Sequence, residues 1–330
     1  MAALPLPTRH LGDLAVPAIG VGAMVLSPGM YGDIDDDRAL TALRHAFDAG
    51  ATFVDTSDAY GEGHNESLVG RAIAGRRDDV VVATKFGLNL SKGTEGHAFP
   101  VAYAFGELAV NAEPRYVRGY ARDSLRRLDT DVIDLYYLHF PDPEVPVEDT
   151  AGAVADLVAD GLVRHLGLSN TTAGELRRAH ATHPVTAVQV EWSMWKPIPP
   201  ELLAAADELG VGIVAWSPLG GGFLTGTVTN VGDADFRSNA PRFQADNLAV
   251  NNDRYAAVRR LAEDLAITPG QLALAWLLHQ HSAVVPIPGS RTPAHIDENI
   301  DAARVELHPD TLDQVDRLLA GTVPAGAALL

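Results

Sequence analysis

Asp55, Tyr60, Lys85 and His139 stand at separate points of the chain, in the strings FVDTSDAY, VVVATKFG and DLYYLHFPD. A tyrosine hydroxyl is a poor acid near neutral pH unless a cation stabilises the phenolate it leaves behind. Lys85 is a cation for that purpose, Asp55 is its counter-charge, and His139 can direct an incoming carbonyl. Together they make a proton-donor site of the kind that carbonyl reduction requires. Taken singly, each has an ordinary structural explanation. An Asp that ends a strand turns the chain, a Lys snorkels to a rim, a Tyr covers a helix, and a His sits satisfied in a core. The chemical reading gains from context, because Asp55, Lys85 and His139 directly follow apolar runs of strand length.

Those runs alternate along the chain with longer amphipathic stretches, the pattern of βα units around a parallel sheet. Strands are expected at 18–23, 51–55, 80–85, 133–139, 163–169, 187–191, 211–217 and 283–288. Between them lie helix patterns such as DRALTALRHAFDAG, YVRGYARDSLRRL and ELLAAADELG, several closing on a glycine that can take the left-handed cap. Eight units without an evident linker predict an α/β protein, one (β/α)8 TIM barrel over 1–330 rather than a doubly wound sheet with an added domain. Asp55, Lys85, His139, Ser169, Gln189, Trp216 and Ser217 fall in or at the C-terminal ends of these strands, the face where barrel sites are built. The segment 8–17 reads as an N-terminal hairpin flooring the barrel, with Gly12-Asp13 at its turn. Connections 88–114 and 220–252 are long enough to be functional lids. An amphipathic stretch at 311–319 predicts a helix outside the repeat, and 321–330 is a weakly patterned tail.

The charge balance, 25 Lys and Arg against 43 Asp and Glu for a net −18, repels phosphate backbones and anionic lipid, so nucleic acid is not an expected partner. There is no cysteine, which excludes disulfides, thiolate zinc sites and cysteine nucleophiles and fits a reducing compartment. No basic segment precedes a continuous apolar core at the N-terminus, and no run approaches the roughly 18 apolar residues of a membrane helix. The expectation is a soluble, cytoplasmic protein with no membrane partner. His64 with His139, or His279 with His281, lacks a supporting ligand shell, so no metal is expected. The sequence does not choose an oligomeric state.

From about residue 8 to residue 320 these strings resemble the aldo-keto reductase family. The resemblance implies that Tyr60 is the general acid for reduction and the base for oxidation, that Lys85 lowers its pKa, that Asp55 pairs with Lys85, and that His139 hydrogen-bonds the carbonyl. It implies a small-molecule aldehyde or ketone as substrate and NADP (NADPH) as cofactor. Ser169 and Asn170 in VRHLGLSN and Gln189 in AVQVEWS match the family's partners of the nicotinamide carboxamide. Trp216 in VAWSPLGGG takes the place of the aromatic that stacks on the nicotinamide, where most relatives have Tyr or Phe. Ser217, Pro218, Leu219, Gly220 and Gly222 follow as the pyrophosphate segment, whose glycines allow close backbone approach. In PIPGSRTPAHIDEN, Ser290 and Arg291 match the site of the 2′-phosphate, and Glu298 and Asn299 the adenine edge. Gly22 and Met24 in GVGAMV, with Asp55, complete the expected cofactor contacts.

Gly289 stands where some branches have lysine and His295 where many have arginine, which leaves use of NAD open beside NADPH. GVGAMV lacks the third glycine of the dinucleotide fingerprint, and no tyrosine is followed four residues later by lysine. Rossmann and short-chain dehydrogenase readings are thereby set aside. Phe140, Trp192, Trp195, Phe223, Phe236 and Phe243, with Arg237, read as pocket walls for a carbonyl compound of moderate size, aromatic or sugar-like. The alternative carried by the resemblance is a cofactor-binding regulatory subunit similar to potassium-channel β-subunits, although no dedicated docking segment is visible. A glycosidase would need two facing carboxylates, and only Asp55 is well placed.

Overall fold

The apolar runs become eight parallel strands, hydrogen-bonded in chain order: β1 (Val21–Gly22), β2 (Phe53–Asp55), β3 (Val81–Phe86), β4 (Ile133–Leu138), β5 (Val163–Ser169), β6 (Val185–Glu191), β7 (Gly212–Trp216) and β8 (Val284–Pro286). The structure, a computed structural model, describes residues 5–89 and 95–330. Its outer strands meet. The amides of Gly20 and Gly22 donate to the carbonyls of Pro286 at 3.0 Å and Pro288 at 3.2 Å. A Cβ on Gly22 would come within 2.6 Å of the Ile287 carbonyl oxygen, so the seam of the (β/α)8 barrel closes only over a glycine. Beyond Pro286 the Ile287 amide still donates to the Ala215 carbonyl of β7 at 3.1 Å, while Pro286 and Pro288 have no N–H to donate and serve as acceptors for Gly20 and Gly22.

Helices α1 (Asp36–Asp48), α2 (His64–Ile73), α3 (Pro114–Leu128), α4 (Val147–Ala159), α5 (Ala173–Thr182) and α6 (Pro200–Leu209) follow the first six strands. Behind β7 come α7 (Ala245–Arg254), α8 (Ala256–Asp264) and α9 (Pro269–Gln280), and behind β8 come α10 (Pro293–Asp301) and α11 (Pro309–Ala320). Their starts are chemically marked: Thr172 with Glu175 and Thr268 with Gln271 form reciprocal capping boxes, each satisfying two orphan donors. Each helix turns one stripe inward. On α1, Leu40, Leu43 and Phe47 are buried against the barrel, each contributing about 1.5–3 kcal/mol of transfer free energy.

Inside the barrel, side chains alternate strand by strand. Phe53, Ala83, Leu135, Tyr137, Ala187, Val214 and Val285 fill the interior. Gly167 contributes no side chain there because its Cβ would sit 2.3 Å from the Tyr137 ring. The N-terminal hairpin (Thr8–Leu11 with Leu14–Pro17) seals the lower end: Leu11 is fully buried, lying where a Cβ on Gly212 would otherwise be. With the floor stopped, the open rim at the C-terminal strand ends is the face left for chemistry.

The long connections carry structure of their own. Within 88–114, where residues 90–94 lie outside the described residues, His97–Pro100 pairs antiparallel with Glu107–Val110. Within 220–252, three short 3-10 turns lead into α7. The C-terminal segment 321–330 is tied down mostly by polar contacts, with Leu329 packing against the cluster of Ala59, Leu88, Val110 and Phe140, which is why its pattern is weak. Asn251 bonds Ala325 in both directions, Arg242 donates to the Gly326 carbonyl, and Lys196 Nζ to the carbonyl of Leu330 at 3.0 Å. Among the described residues no helix is long and apolar enough to cross a membrane.

Candidate active site

β2 ends at Asp55, and a tight turn, in which the Tyr60 amide donates to the Ser57 carbonyl at 3.2 Å, brings Tyr60 back over the rim. On the neighbouring β3, Lys85 points to the same spot. Its Nζ donates to Asp55 Oδ1, to the Thr56 carbonyl at 2.9 Å and to the Tyr60 hydroxyl at 3.2 Å. From across the barrel, Gln189 Nε2 on β6 donates to the other Asp55 oxygen at 2.7 Å. His139, one residue beyond β4, meets Tyr60 edge to face with ring centroids 5.9 Å apart. Its Nδ1 lies 3.2 Å from Ser57 Oγ. In the tautomer where Nδ1 accepts that hydroxyl proton, Nε2 carries the hydrogen needed to donate to a carbonyl.

The electrostatics follow from burial. It works against a charged Lys85, but Asp55 and Tyr60 outweigh it and hold the ammonium above its ordinary value. The Asp55 carboxyl is pushed up by burial against the opposing pull of Lys85 and Gln189. For Tyr60, burial raises the phenol and Lys85 lowers it, with burial the stronger, so its net direction is upward from 10.0. Sequence reasoning expected a lowered value from the lysine alone. Lys85 acts in the expected sense, and desolvation of the phenolate exceeds it.

Ser169 and Gln189 are paired across the β5–β6 ladder. Asn170, in a left-handed conformation at φ +54°, donates to the His139 carbonyl and to Ser169 Oγ, both at 3.1 Å, and accepts from Trp216 Nε1 at 3.1 Å. This leaves the Ser169 hydroxyl proton without an acceptor among the described residues, and across the ladder the Gln189 amide, which also meets the Tyr137 hydroxyl, has its Oε1 as an acceptor. A primary carboxamide offers the complementary acceptor and donor, so the residues fit a nicotinamide. The half-buried Trp216, fixed in orientation by Asn170, would give that ring a flat neighbour.

Beyond Trp216 the backbone turns at Ser217 (φ +50°), and Gly220, Gly221 and Gly222 all have positive φ. Their amides are already bonded inside the turn, to the Ser217 carbonyl, Ser217 Oγ and the Leu219 carbonyl. What the run presents outward is a surface without side chains. After β8, Ser290 accepts from Asn299, Glu298 accepts from Thr268 at 2.6 Å, and His295 lies exposed on α10. Arg291 donates to the carbonyls of Val25 (2.8 Å), Gly32 (3.1 Å) and Asp33 (3.4 Å), so its guanidinium clasps the loop that follows Gly22 and Met24.

Three residues near the site were not singled out in the sequence. Ser57 lies inside DTSDAY, so its proximity to Tyr60 was a usable signal. Tyr31 and Asp235 bridge the loops after β1 and β7, and Arg237 covers the Tyr31 ring at 4.6 Å while donating to the Gly221 carbonyl. Arg237 was read only as a lid residue. Trp195, expected as a pocket wall, stacks on Phe223 at 4.0 Å and is buried behind the lid.

A barrel rim that joins a Tyr-Lys-Asp cluster to a carboxamide cradle has the design of an oxidoreductase. The Aldo/keto reductase family model matches residues 18–320. A probable aldo-keto reductase of Glycine max is 42% identical over 305 residues, which is 91% of this chain and 84% of that protein. The glycerol dehydrogenase of Gluconobacter oxydans superposes with a TM-score of 0.81 at 28% identity, covering 97% of each chain. An aldo-keto reductase of Klebsiella pneumoniae, solved in complex with NADPH, gives 0.73 at 26% identity over 98% of this chain and 100% of that one. The chain belongs to the aldo-keto reductase family.

Proposed function

We propose that the protein reduces a small aldehyde or ketone to the alcohol with NADPH. The observation that carries this reading is the Tyr60 hydroxyl 3.2 Å from a buried ammonium at the open rim, beside His139. A phenol already holds its proton at neutral pH, and burial favours that neutral form further, which is the state a donor requires. When bound, the nicotinamide supplies the hydride. Tyr60 gives its proton to the carbonyl oxygen as negative charge develops there, and Lys85 stabilises the phenolate left behind. Asp55, held by Gln189, keeps Lys85 charged and aimed. His139 Nε2 orients the carbonyl. In oxidation the same groups work in reverse, Tyr60 as base.

Ser169, Asn170 and Gln189 would hold the carboxamide, Trp216 the ring, and Ser217, Pro218, Leu219, Gly220 and Gly222 would border the pyrophosphate. Ser290, Arg291, His295, Glu298 and Asn299 would take the adenosine phosphate, with Gly22, Met24 and Gly289 beside them. The relative solved with NADPH supports the cofactor choice. NADH use at lower affinity is compatible with an exposed His295 and a glycine at 289. The test is NADPH consumption across a panel of aldehydes by the unaltered protein and by Tyr60→Phe. The variant should bind NADPH and fail to turn over, and near-normal turnover would overturn the mechanism.

A further inference from the structure

β6 carries a second carboxylate that the reaction above does not use. Side chains two apart on a strand share a face, and Gln189 reaches Asp55 inside the barrel, so Glu191 lies on that face one step nearer the mouth. It is paired with Trp216 across the ladder and is half-buried. Among the described residues no hydrogen bond or ion pair reaches its carboxylate. Burial pushes the Glu191 carboxyl up, and the two cations that pull against burial and favour the carboxylate, Arg242 and Lys196, are engaged elsewhere. Arg242 donates to the Gly326 and Trp195 carbonyls, and Lys196 to Leu330.

Two tyrosines from different loops, Tyr31 and Tyr103, are within electrostatic reach of Glu191. The charge of Glu191 is close enough to raise both Tyr31 and Tyr103, and burial pushes Tyr31 up to about 12, so each stays a neutral hydroxyl. Tyr31 is also within electrostatic reach of Tyr60. A half-buried carboxylate without a partner costs free energy, and a donor arriving with the substrate would relieve that cost.

We propose that Glu191 is a specificity-determining residue that accepts a hydrogen bond from a hydroxyl on the carbon chain of the substrate. Resting on the carbonyl-reductase reading above, this makes hydroxyaldehydes and hydroxyketones the favoured substrates and carboxylated carbonyl compounds disfavoured ones. The test compares the unaltered protein with Glu191→Gln, which keeps size and loses charge, on glyceraldehyde, propanal and succinic semialdehyde. Glyceraldehyde and propanal share a three-carbon chain and differ in hydroxyls. Using ratios of kcat/KM between the two proteins cancels the hydration of each aldehyde.

The glyceraldehyde-to-propanal ratio should fall about tenfold in Glu191→Gln, mainly through KM, the scale of one charge-assisted hydrogen bond. The ratio of succinic semialdehyde to propanal should rise. Both ratios remaining within about twofold would overturn the assignment. If the unaltered protein reduces propanal and the ratios do not move, the specificity claim alone falls. If it reduces none of the three aldehydes, the carbonyl-reductase reading falls and takes this claim with it.

Discussion

At the end of the candidate site around Lys85, side chains are held by strand-end neighbours, whereas at the opposite end, after β8, they are held by loops. Lys85 has three oxygen partners, two of them side chains that share its task, and it is 1% exposed. Arg291 also has three oxygen partners, but all are backbone carbonyls of a single loop, and nearby His295 is exposed. Under the proposed function, the difference separates two jobs. Proton transfer needs fixed distances before the substrate arrives, and strands supply them. Recognition of an anionic cofactor needs groups that exchange one set of acceptors for another, and loops permit that.

The most severe way to break this comparison is Tyr60→Phe. If the strand end is preorganised, the variant should keep its melting temperature and NADPH affinity while kcat falls by about 10² to 10⁴, the usual loss of a general acid. A large drop in stability instead would mean that Tyr60 is part of the scaffold. On the loop side, Arg291→Ala should weaken NADPH by about 1.5–3 kcal/mol and leave NADH nearly unchanged. Equal losses, read by titration calorimetry with each cofactor, would show that its clasp on the loop at Val25–Asp33 is its whole role.

Trp216 belongs to both ends, since it closes β7 and begins the glycine turn. Trp216→Ala should raise the cofactor dissociation constant by about 0.5–1.5 kcal/mol, with weaker quenching of protein fluorescence. The smallest effect lies in the 88–114 connection, where His97 Nδ1 meets the buried Asp142 at 2.8 Å. The bond to Asp142 raises the His97 pKa above 6.5, so its stabilisation is full below that value and is lost as pH rises through the higher folded value. His97 is partly solvated, so the contribution is under about 1 kcal/mol. Amide exchange of the hairpin should therefore quicken with pH beyond its intrinsic rise, and His97→Gln should remove the extra pH dependence.

The strand-borne part of the site was legible because a polar residue that ends an apolar run breaks a local pattern. Asp55, Lys85 and His139 do so, and Gln189 interrupts a run of valines and alanine within β6. The loop-borne part was not, since the pairing of Tyr31 with Asp235, or of Arg291 with Gly32, joins residues more than two hundred positions apart and leaves no trace in either segment. The hairpin in 88–114 was missed for another reason. Of the residues in its two four-residue strands only Val110 is buried, so alternation had little burial to report. Hydrophobic patterning also failed on 321–330, which is fastened by backbone and polar bonds.

β2 and β6 are not neighbours; β3, β4 and β5 stand between them on one side. The bond from Gln189 to Asp55 is therefore a tie-rod across the mouth, and its far anchor is the counter-charge of Lys85. Any load that widens or ovalises the barrel, such as pressure or a strained strand far below, would be transmitted along that rod as a change in how firmly Asp55 grips Lys85. In mechanical terms the shape of the whole cylinder and the readiness of one proton share a single member.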